Sequence, residues 1–361
     1  MKKLLTSYHI SVGLIALFIL TAIAAPYLAN DKPILCISDT KCIQPLIPYA
    51  PTTANFEHHA SLSPFSEQAD LAPAQRHWLG TDKLGRDVAS GIIHGTRVSL
   101  MVGFISVLFI FAIGTSLGMA SAYSVHKGIH LNIIQIAGLV FVFISASFYI
   151  MYDILFSVNP VWAILKSMLL TGIIMFFIRY AGKKRTNLKK YRLPLDLMLT
   201  KIIEVRKSFP GIFLFLALTA IFAVPSVWNV IFIIAITGWI EFARHARAET
   251  LAVLETDYIT SARILGLPHY NILFRHVLPN ILPTLLVLAC YSVSGVILIE
   301  SSLSFLGIGL PTEMVTWGKM LAEGRNMQSW WIVVFPGLAI FTTILSLNNI
   351  ANHFQKRSPG K

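Results

Sequence analysis

Along this chain, long apolar runs alternate with shorter polar stretches, the runs falling at about 10–27, 98–123, 131–151, 161–180, 208–224, 227–243, 282–306 and 331–349. Apolar runs of about 18 or more residues have the length of helices that cross a lipid bilayer. The pattern predicts an all-α, polytopic bundle of about eight transmembrane helices in contact with lipid. Ala22-Ile23-Ala24 at the end of the first run would suit a cleaved signal peptide, but the run is near spanning length and favours an uncleaved first helix. From about Ala29 to Trp78 the chain is polar and punctuated by Pro33, Pro45, Pro48, Pro51, Pro64 and Pro73. Such a stretch predicts some extended structure without a core of its own.

Composition agrees: 55% of the 361 residues are hydrophobic and only 13% charged, about half the charged share of soluble domains. The formal charge of +12 has a topological explanation, because loops on the cytoplasmic side collect Lys and Arg. If the first helix runs outward, the segments near 124–130, 181–207 and 244–281 fall inside with both termini, and they hold 19 of the 29 Lys and Arg. The densest block runs from Lys183-Lys184-Arg185 to Lys189-Lys190-Arg192 and reads as a topological anchor, with an anionic-lipid site as the alternative. No basic stripe interleaved with aromatics and no zinc spacing is present, so nucleic-acid recognition is not expected. Cys290 lies in an apolar run; Cys36 and Cys42 lie six apart in a polar stretch and could pair outside the cytoplasm. None of the three has metal-ligand spacing, and no cofactor or metal is expected.

The longest cytoplasmic loop holds Tyr258-Ile259-Thr260-Ser261-Ala262-Arg263-Ile264-Leu265-Gly266, with Leu278-Pro279-Asn280 beginning twelve residues after the glycine. Ser261 to Leu265 suits a helix, Gly266 can take the left-handed backbone that ends one, and Pro268 follows where a helix stops. The expected product is a compact protrusion suited to a groove in another protein.

This loop resembles the EAA motif of ABC importer permeases, with Gly four positions after its last Ala and Leu-Pro twelve after the Gly. His77-Trp78-Leu79-Gly80-Thr81-Asp82-Lys83-Leu84-Gly85-Arg86-Asp87-Val88 is similar to the "HPLGTDxLGRDV" entrance segment of the dipeptide/oligopeptide permease family. Gly95-Thr96-Arg97-Val98-Ser99-Leu100 resembles its "GARISL". Ser208-Phe209-Pro210, Arg275-His276-Val277-Leu278-Pro279-Asn280, Leu303-Ser304-Phe305-Leu306-Gly307, Trp317-Gly318 and Phe335-Pro336-Gly337 follow in order, seven matches across residues 77–337. The chain looks like the C-type member of the usual permease pair. The resemblance implies the type I permease fold of ABC importers and a place in a bacterial inner membrane. It implies ATP-binding subunits, a second permease forming a heterodimer and a periplasmic solute-binding protein as partners, with di- or oligopeptides as substrate class. Relatives in that family also carry nickel, glutathione and other solutes.

On this resemblance Tyr258, Thr260, Ser261, Ala262, Arg263, Gly266 and Pro279 form the loop that receives the work of the ATPase. Arg244, Arg247 and Glu249 flank it, to pair within the loop or with that partner. Gly80, Asp82, Gly85, Arg86 and Asp87 form a periplasmic entrance, either as a docking surface or as an interfacial structural cluster. Glu300, costly inside lipid, should face the bundle, bonding a neighbouring helix or lining the translocation path. Trp317, Trp330 and Trp331 suit interfacial anchors.

The expected organisation is a first helix at 1–28, a periplasmic segment with the entrance motif at 29–96, a core at 97–349 and a cytoplasmic tail at 350–361. The core includes an insertion at 124–195 and the loop 244–281. The insertion departs from the family, which passes almost directly from its second helix to the segment matching Asp196-Leu197-Met198. Its two apolar runs form a hairpin about Val158-Asn159-Pro160, and an even number of crossings leaves the later threading unchanged. Thr260-Ser261-Ala262 replaces the family's Glu-Ala-Ala, and Ala351 to Lys356 replaces its "GDGLRD" tail. No G-x-x-x-x-G-K-[ST] phosphate loop occurs, so ATP hydrolysis is expected in a partner and the chain is not expected to be an enzyme. An ion-coupled transporter or channel would place acidic residues in several helices, and only Glu300 fits. Gly114-Thr115-Ser116-Leu117-Gly118 matches the hydrolase pattern G-x-S-x-G, but it lies inside an apolar run, where glycines four apart mark close helix packing.

Overall fold

The computed structural model describes residues 2–33, 35–38, 41–54, 60–68, 71–72, 75–127, 129–132, 190–221, 225–325 and 329–357, with Lys166 and Gly172 besides. Among the described residues the chain is helical apart from two short ladders. In order it forms α1 (Lys2–Leu28), β1 (Leu35–Ser38), β2 (Lys41–Ile43), α2 (Val88–Lys127), β3 (Ile129–Asn132) and β4 (Lys190–Leu193). Then come α3 (Leu195–Lys207), α4 (Gly211–Ile221), α5 (Val227–Leu254), α6 (Asp257–Ile264), α7 (His269–Asn271) and a π-helical turn (Ile272–Val277). The chain continues as α8 (Leu278–Phe305), α9 (Trp317–Arg325) and α10 (Trp330–Arg357).

Five described helical stretches are long and apolar enough to cross a membrane: Ser7–Leu28, Val88–Val125, Val227–Leu254, His269–Phe305 and Trp330–Lys356. The protein is a multi-pass membrane protein. The run at 208–224 yields the 11-residue α4, with 222–224 outside the described residues. The hairpin runs 131–151 and 161–180 also lie outside them, Leu131, Asn132, Lys166 and Gly172 excepted.

Several boundaries depart from the apolar pattern, α1 beginning at Lys2 and α5 running on to Leu254. Helix α2 begins ten residues before its apolar run because Asp87 caps it, Oδ1 accepting the Ser90 N–H at 2.7 Å. Helix α10 continues through the polar tail to Arg357. There His353 stacks on Tyr8 with ring centroids 4.0 Å apart.

Two compact units partition the chain, residues 1–108 with 286–361, and residues 109–285. In the first, α1 lies along α10, Asn349 Nδ2 donating to Ser11 Oγ at 3.3 Å. Trp317 is fully buried, its Nε1 donating to the Ile92 carbonyl at 3.1 Å. Gly318 meets α8 backbone to backbone, since a Cβ there would stand 2.2 Å from the Ser301 oxygen. The tryptophans are therefore not uniformly interfacial anchors. Trp317 and Trp331 are core residues, and only Trp330 of the three is well exposed.

In the second unit α2 presses on α5 through two glycines. A Cβ on Gly114 would fall 2.5 Å from the Trp239 oxygen, and one on Gly118 2.4 Å from the Ala243 oxygen. The G-x-S-x-G pattern thus sits mid-helix as a packing stripe. Leu199 and Ile203 of α3 join Ile240 and Ala243 of α5 in a small core against Trp239. The β3–β4 ladder pairs Ile129 with Leu193 and Asn132 with Lys190, bringing together the two ends of the inserted segment.

Candidate functional site

Helix α6 follows the end of α5 after two residues and begins with Asp257 in its first turn, where a carboxylate suits the positive end of the helix dipole. Ile259 and Ala262 face inward, while Tyr258, Thr260, Ser261 and Arg263 are exposed. The helix starts four residues earlier than the sequence pattern suggests. Its C-terminus is a Schellman turn: Leu267 N–H bonds the Ala262 carbonyl at 3.2 Å and Gly266 N–H that of Arg263 at 3.0 Å. Gly266 sits at φ +74°, with nothing within 4 Å of where a Cβ would project. Its glycine is required by backbone conformation and not by crowding. Ile264 and Leu265, at the helix tip, are 82% and 81% exposed.

Pro268 then redirects the chain into α7. Pro279 has no N–H for the carbonyl four residues back and its ring displaces that carbonyl. The π turn immediately upstream takes up the mismatch, Leu278 N–H reaching the Leu273 carbonyl. Asn280 Nδ2 donates to Tyr258 Oη at 2.6 Å and to the His276 carbonyl at 2.8 Å, tying the re-entering helix to α6. Behind α6 lies a hollow of about 530 Å³, lined by Tyr123, Arg263, Gly266, Leu267, Pro268, His269 and Ile272. Tyr123 and His269 are hydrogen-bonded to each other there.

The entrance segment, in the other unit, is a tight loop closed by the bridge between Thr81 and Asp87. Asp82 Oδ1 accepts the N–H groups of Leu84 and Arg86 at 2.8 and 2.9 Å, and Oδ2 accepts Arg86 Nε at 2.5 Å. Arg86 Nη2 continues to Glu323 Oε2 on α9 at 2.7 Å. Asp87 Oδ2 lies 2.8 Å from His77 Nδ1, and the Tyr49 ring stacks on that imidazole. Gly80 and Gly85 hold φ of +79° and +71°, and a Cβ on Gly80 would strike the Leu62 oxygen at 2.4 Å. Trp331 Nε1 closes the loop from below, donating to the Thr81 carbonyl at 3.1 Å. Both carboxylates point inward, and the side chains turned outward are Trp78, Lys83 and Leu84.

Glu300 on α8 is buried and enclosed by hydroxyls. Ser99 Oγ of α2 donates at 3.0 Å and Ser304 Oγ at 2.8 Å, with Ser301 and Thr316 also bonded to it. Among the described residues no group of three or more His, Cys, Asp or Glu is placed to hold a metal ion.

One residue absent from the sequence-based candidates, Asp196, shares the unit of α6, and it takes Arg247, expected to pair within the loop or with the ATPase, as its partner. Asp196 of α3 accepts from Arg247 of α5 and from Ser121 of α2. Only the chain's folding brings these three together, although an acidic residue opening a helix directly after a proline was a visible signal.

The model of a family described as binding-protein-dependent transport system inner membrane component matches residues 186–358. The glutathione transport system permease protein GsiD of Pectobacterium atrosepticum is 31% identical over 284 residues, 78% of this chain and 72% of that protein. The dipeptide transport system permease protein DppC of Alkalihalophilus pseudofirmus is 28% identical over 282 residues, 78% of this chain and 70% of its own. The di/tripeptide transport system permease protein DppC of Pseudomonas aeruginosa is 28% identical over 275 residues, covering 76% and 68%.

Proposed function

The chain belongs to the binding-protein-dependent transport system inner membrane components, and on that premise we propose that it is the permease of an ATP-driven importer of small peptides. The fold class is that of the type I permeases of ABC importers. Peptide as cargo is supported by the dipeptide and di/tripeptide permeases among its relatives. The partners are separate ATP-hydrolysing subunits, a second permease chain and a solute-binding protein. Both termini and α6 face the cytoplasm, in keeping with the distribution of Lys and Arg.

The observation that carries the mechanism is the Schellman-capped α6. Its outward tip presents Ile264 and Leu265 to solvent at the end of a polar helix. Two large aliphatic side chains exposed on a rigid protrusion suit a groove in a partner. Closure of the ATPase subunits on ATP pushes α6, and the push favours one of two permease states by differential contact. Glu300 holds α2 to α8 and the Thr316 segment and does not serve as a substrate ligand, its acceptor capacity being taken by hydroxyls. Asp82, Arg86 and Asp87 shape the entrance from within, and Trp78, Lys83 and Leu84 form the surface that meets the solute-binding protein.

Gly266→Val tests the coupling role. A β-branched residue strongly disfavours positive φ, whereas Asn tolerates it. Membrane insertion survives in both variants. Uptake of labelled dipeptide and co-purification of the ATPase fall in Gly266→Val and stay near native in Gly266→Asn. Gly266→Val protein that inserts, keeps its ATPase and transports at the native rate overturns the assignment.

A further inference from the structure

Three helices of the second unit converge on one carboxylate. Asp196 lies in the first turn of α3, directly after Pro194 and the β3–β4 ladder. Its Oδ1 accepts Ser121 Oγ of α2 at 2.7 Å and Arg247 Nε of α5 at 2.5 Å, and its Oδ2 accepts Arg247 Nη2 at 2.8 Å. The Arg247 bond is bidentate, the geometry that fixes orientation as well as distance. Arg247 stands seven residues before the end of α5, and α6 begins three residues after that end. Arg263 of α6 reaches back to the Leu254 carbonyl at the α5 terminus at 3.5 Å. Helix α5 is fixed against α2 by the backbone contacts of Gly114 and Gly118. The link from α5 to α3 is of another kind, a small core patch around Leu199 and Ile203 with the bidentate Asp196–Arg247 pair beside it and a looser, exposed Lys207–Glu241 pair at 3.5 Å.

The pair is about a third exposed on each side, 33% for Arg247 and 28% for Asp196. Ion pairs in that setting contribute little to stability. Its two-point geometry, its place near the root of α6 and its third helix are better explained by position. We infer that Asp196 is a positioning residue for coupling: it ties α3 to the root of the helix that meets the ATPase, so that displacement of α6 moves α3. The inference rests on the coupling role of α6. Helix α3 leads through Ser208-Phe209-Pro210 into the apolar α4, so a push at α6 reaches that apolar segment through α3, with Asp196 as the bidentate link nearest the root of α6.

The test uses the whole transporter, purified with its partner subunits and reconstituted in vesicles, with radiolabelled di- and tripeptides as probe. The quantity read is ATP hydrolysed per peptide imported. In Asp196→Asn the ratio rises by about fivefold or more, the low end of ordinary coupling free energies, while the amount of assembled complex stays at the native level. Asp196→Glu, which keeps the charge, stays close to native. Arg247→Gln matches Asp196→Asn, and the double variant is no worse than either single one, as for two groups acting as a unit. An unchanged ratio in Asp196→Asn overturns the inference, as does loss of assembled complex with a native ratio in what remains. Additive effects in the double variant overturn it too. Gly266→Val measured alongside separates the two levels. If it transports normally, the coupling role of α6 falls and this inference with it. If it uncouples while Asp196→Asn does not, only the role of Asp196 falls. A wild-type complex importing none of the peptides overturns the proposed function and this inference together.

Discussion

Arg86 and Glu323 lie 237 positions apart in the chain and 2.7 Å apart in the fold, joining the entrance loop to α9 through one guanidinium. That guanidinium also holds Asp82, which is only 5% exposed. The two partners of Arg86 therefore differ in what their loss entails. Arg86→Leu leaves a buried carboxylate with backbone N–H partners but no countercharge and costs about 3 kcal/mol. Glu323→Gln leaves the Arg86–Asp82 pair in place and costs about 1 kcal/mol or less. Thermal unfolding of the purified protein in detergent ranks them: Arg86→Leu melts several degrees below Glu323→Gln, and the reverse order refutes the network.

Two glycines should fail for different reasons than Gly266. Gly80→Ala combines positive φ, about 1–2 kcal/mol for a side-chain-bearing residue, with a Cβ 2.4 Å from the Leu62 oxygen. Gly318→Ala meets the Ser301 backbone at 2.2 Å, which cannot yield as a flexible side chain would. Both variants lose melting temperature and accumulate less in the membrane. Gly13→Ala, with nothing within 4 Å, gains about 0.5–1 kcal/mol from helix propensity. A Gly318→Ala melt at or above that of Gly13→Ala would contradict the close contact of α8 and α9.

Cys36 and Cys42 are directly opposed in the β1–β2 ladder, the register in which residues of two antiparallel strands are nearest neighbours. On the oxidising side of the membrane this favours a disulfide. Mass spectrometry of peptides from non-reduced, alkylated protein finds 36 and 42 in one linked species. Two alkylated thiols in protein from an oxidising periplasm dispose of the bond.

Replacing residues 130–192 by an Asn-Gly turn between Ile129 and Leu193, a pair already in register, tests whether the insertion is peripheral. Asn-Gly suits the two-residue hairpin turn. The shortened protein inserts, retains its ATPase partner and takes up dipeptide at half the native rate or better. Failure to assemble would assign the insertion to the core.

The parts of the site legible in the sequence are those whose physics is local. Gly266 and Pro268 announce a helix end because few residues adopt those backbone states. Gly114 and Gly118 announce close packing by their spacing. What escaped is tertiary. Asp196 and Arg247 are 51 residues apart, and nothing along the chain pairs them. Asp82 and Asp87 looked as much like a docking surface as a structural cluster, because a sequence shows a carboxylate but not the backbone amides and Arg or His folded over it. The start of α6 escaped by four residues because Asp257 belongs to the helix and Thr256 sits at its N-cap, two residue types that both suit a start. The range of α10 was underestimated because apolar length marks what lipid requires, and the last turns are held by Tyr8, Tyr291 and His353 in water-compatible contacts.

The β3–β4 neck has a further consequence for what the chain tolerates. Closing a flexible loop costs entropy that grows only with the logarithm of its length, and here Ile129 and Leu193 already face each other across a ladder. Lengthening or exchanging the segment beyond the neck adds little to that cost. The neck is thus a natural graft point for a foreign hairpin or a fluorescent reporter, provided the chain returns to the side from which it left.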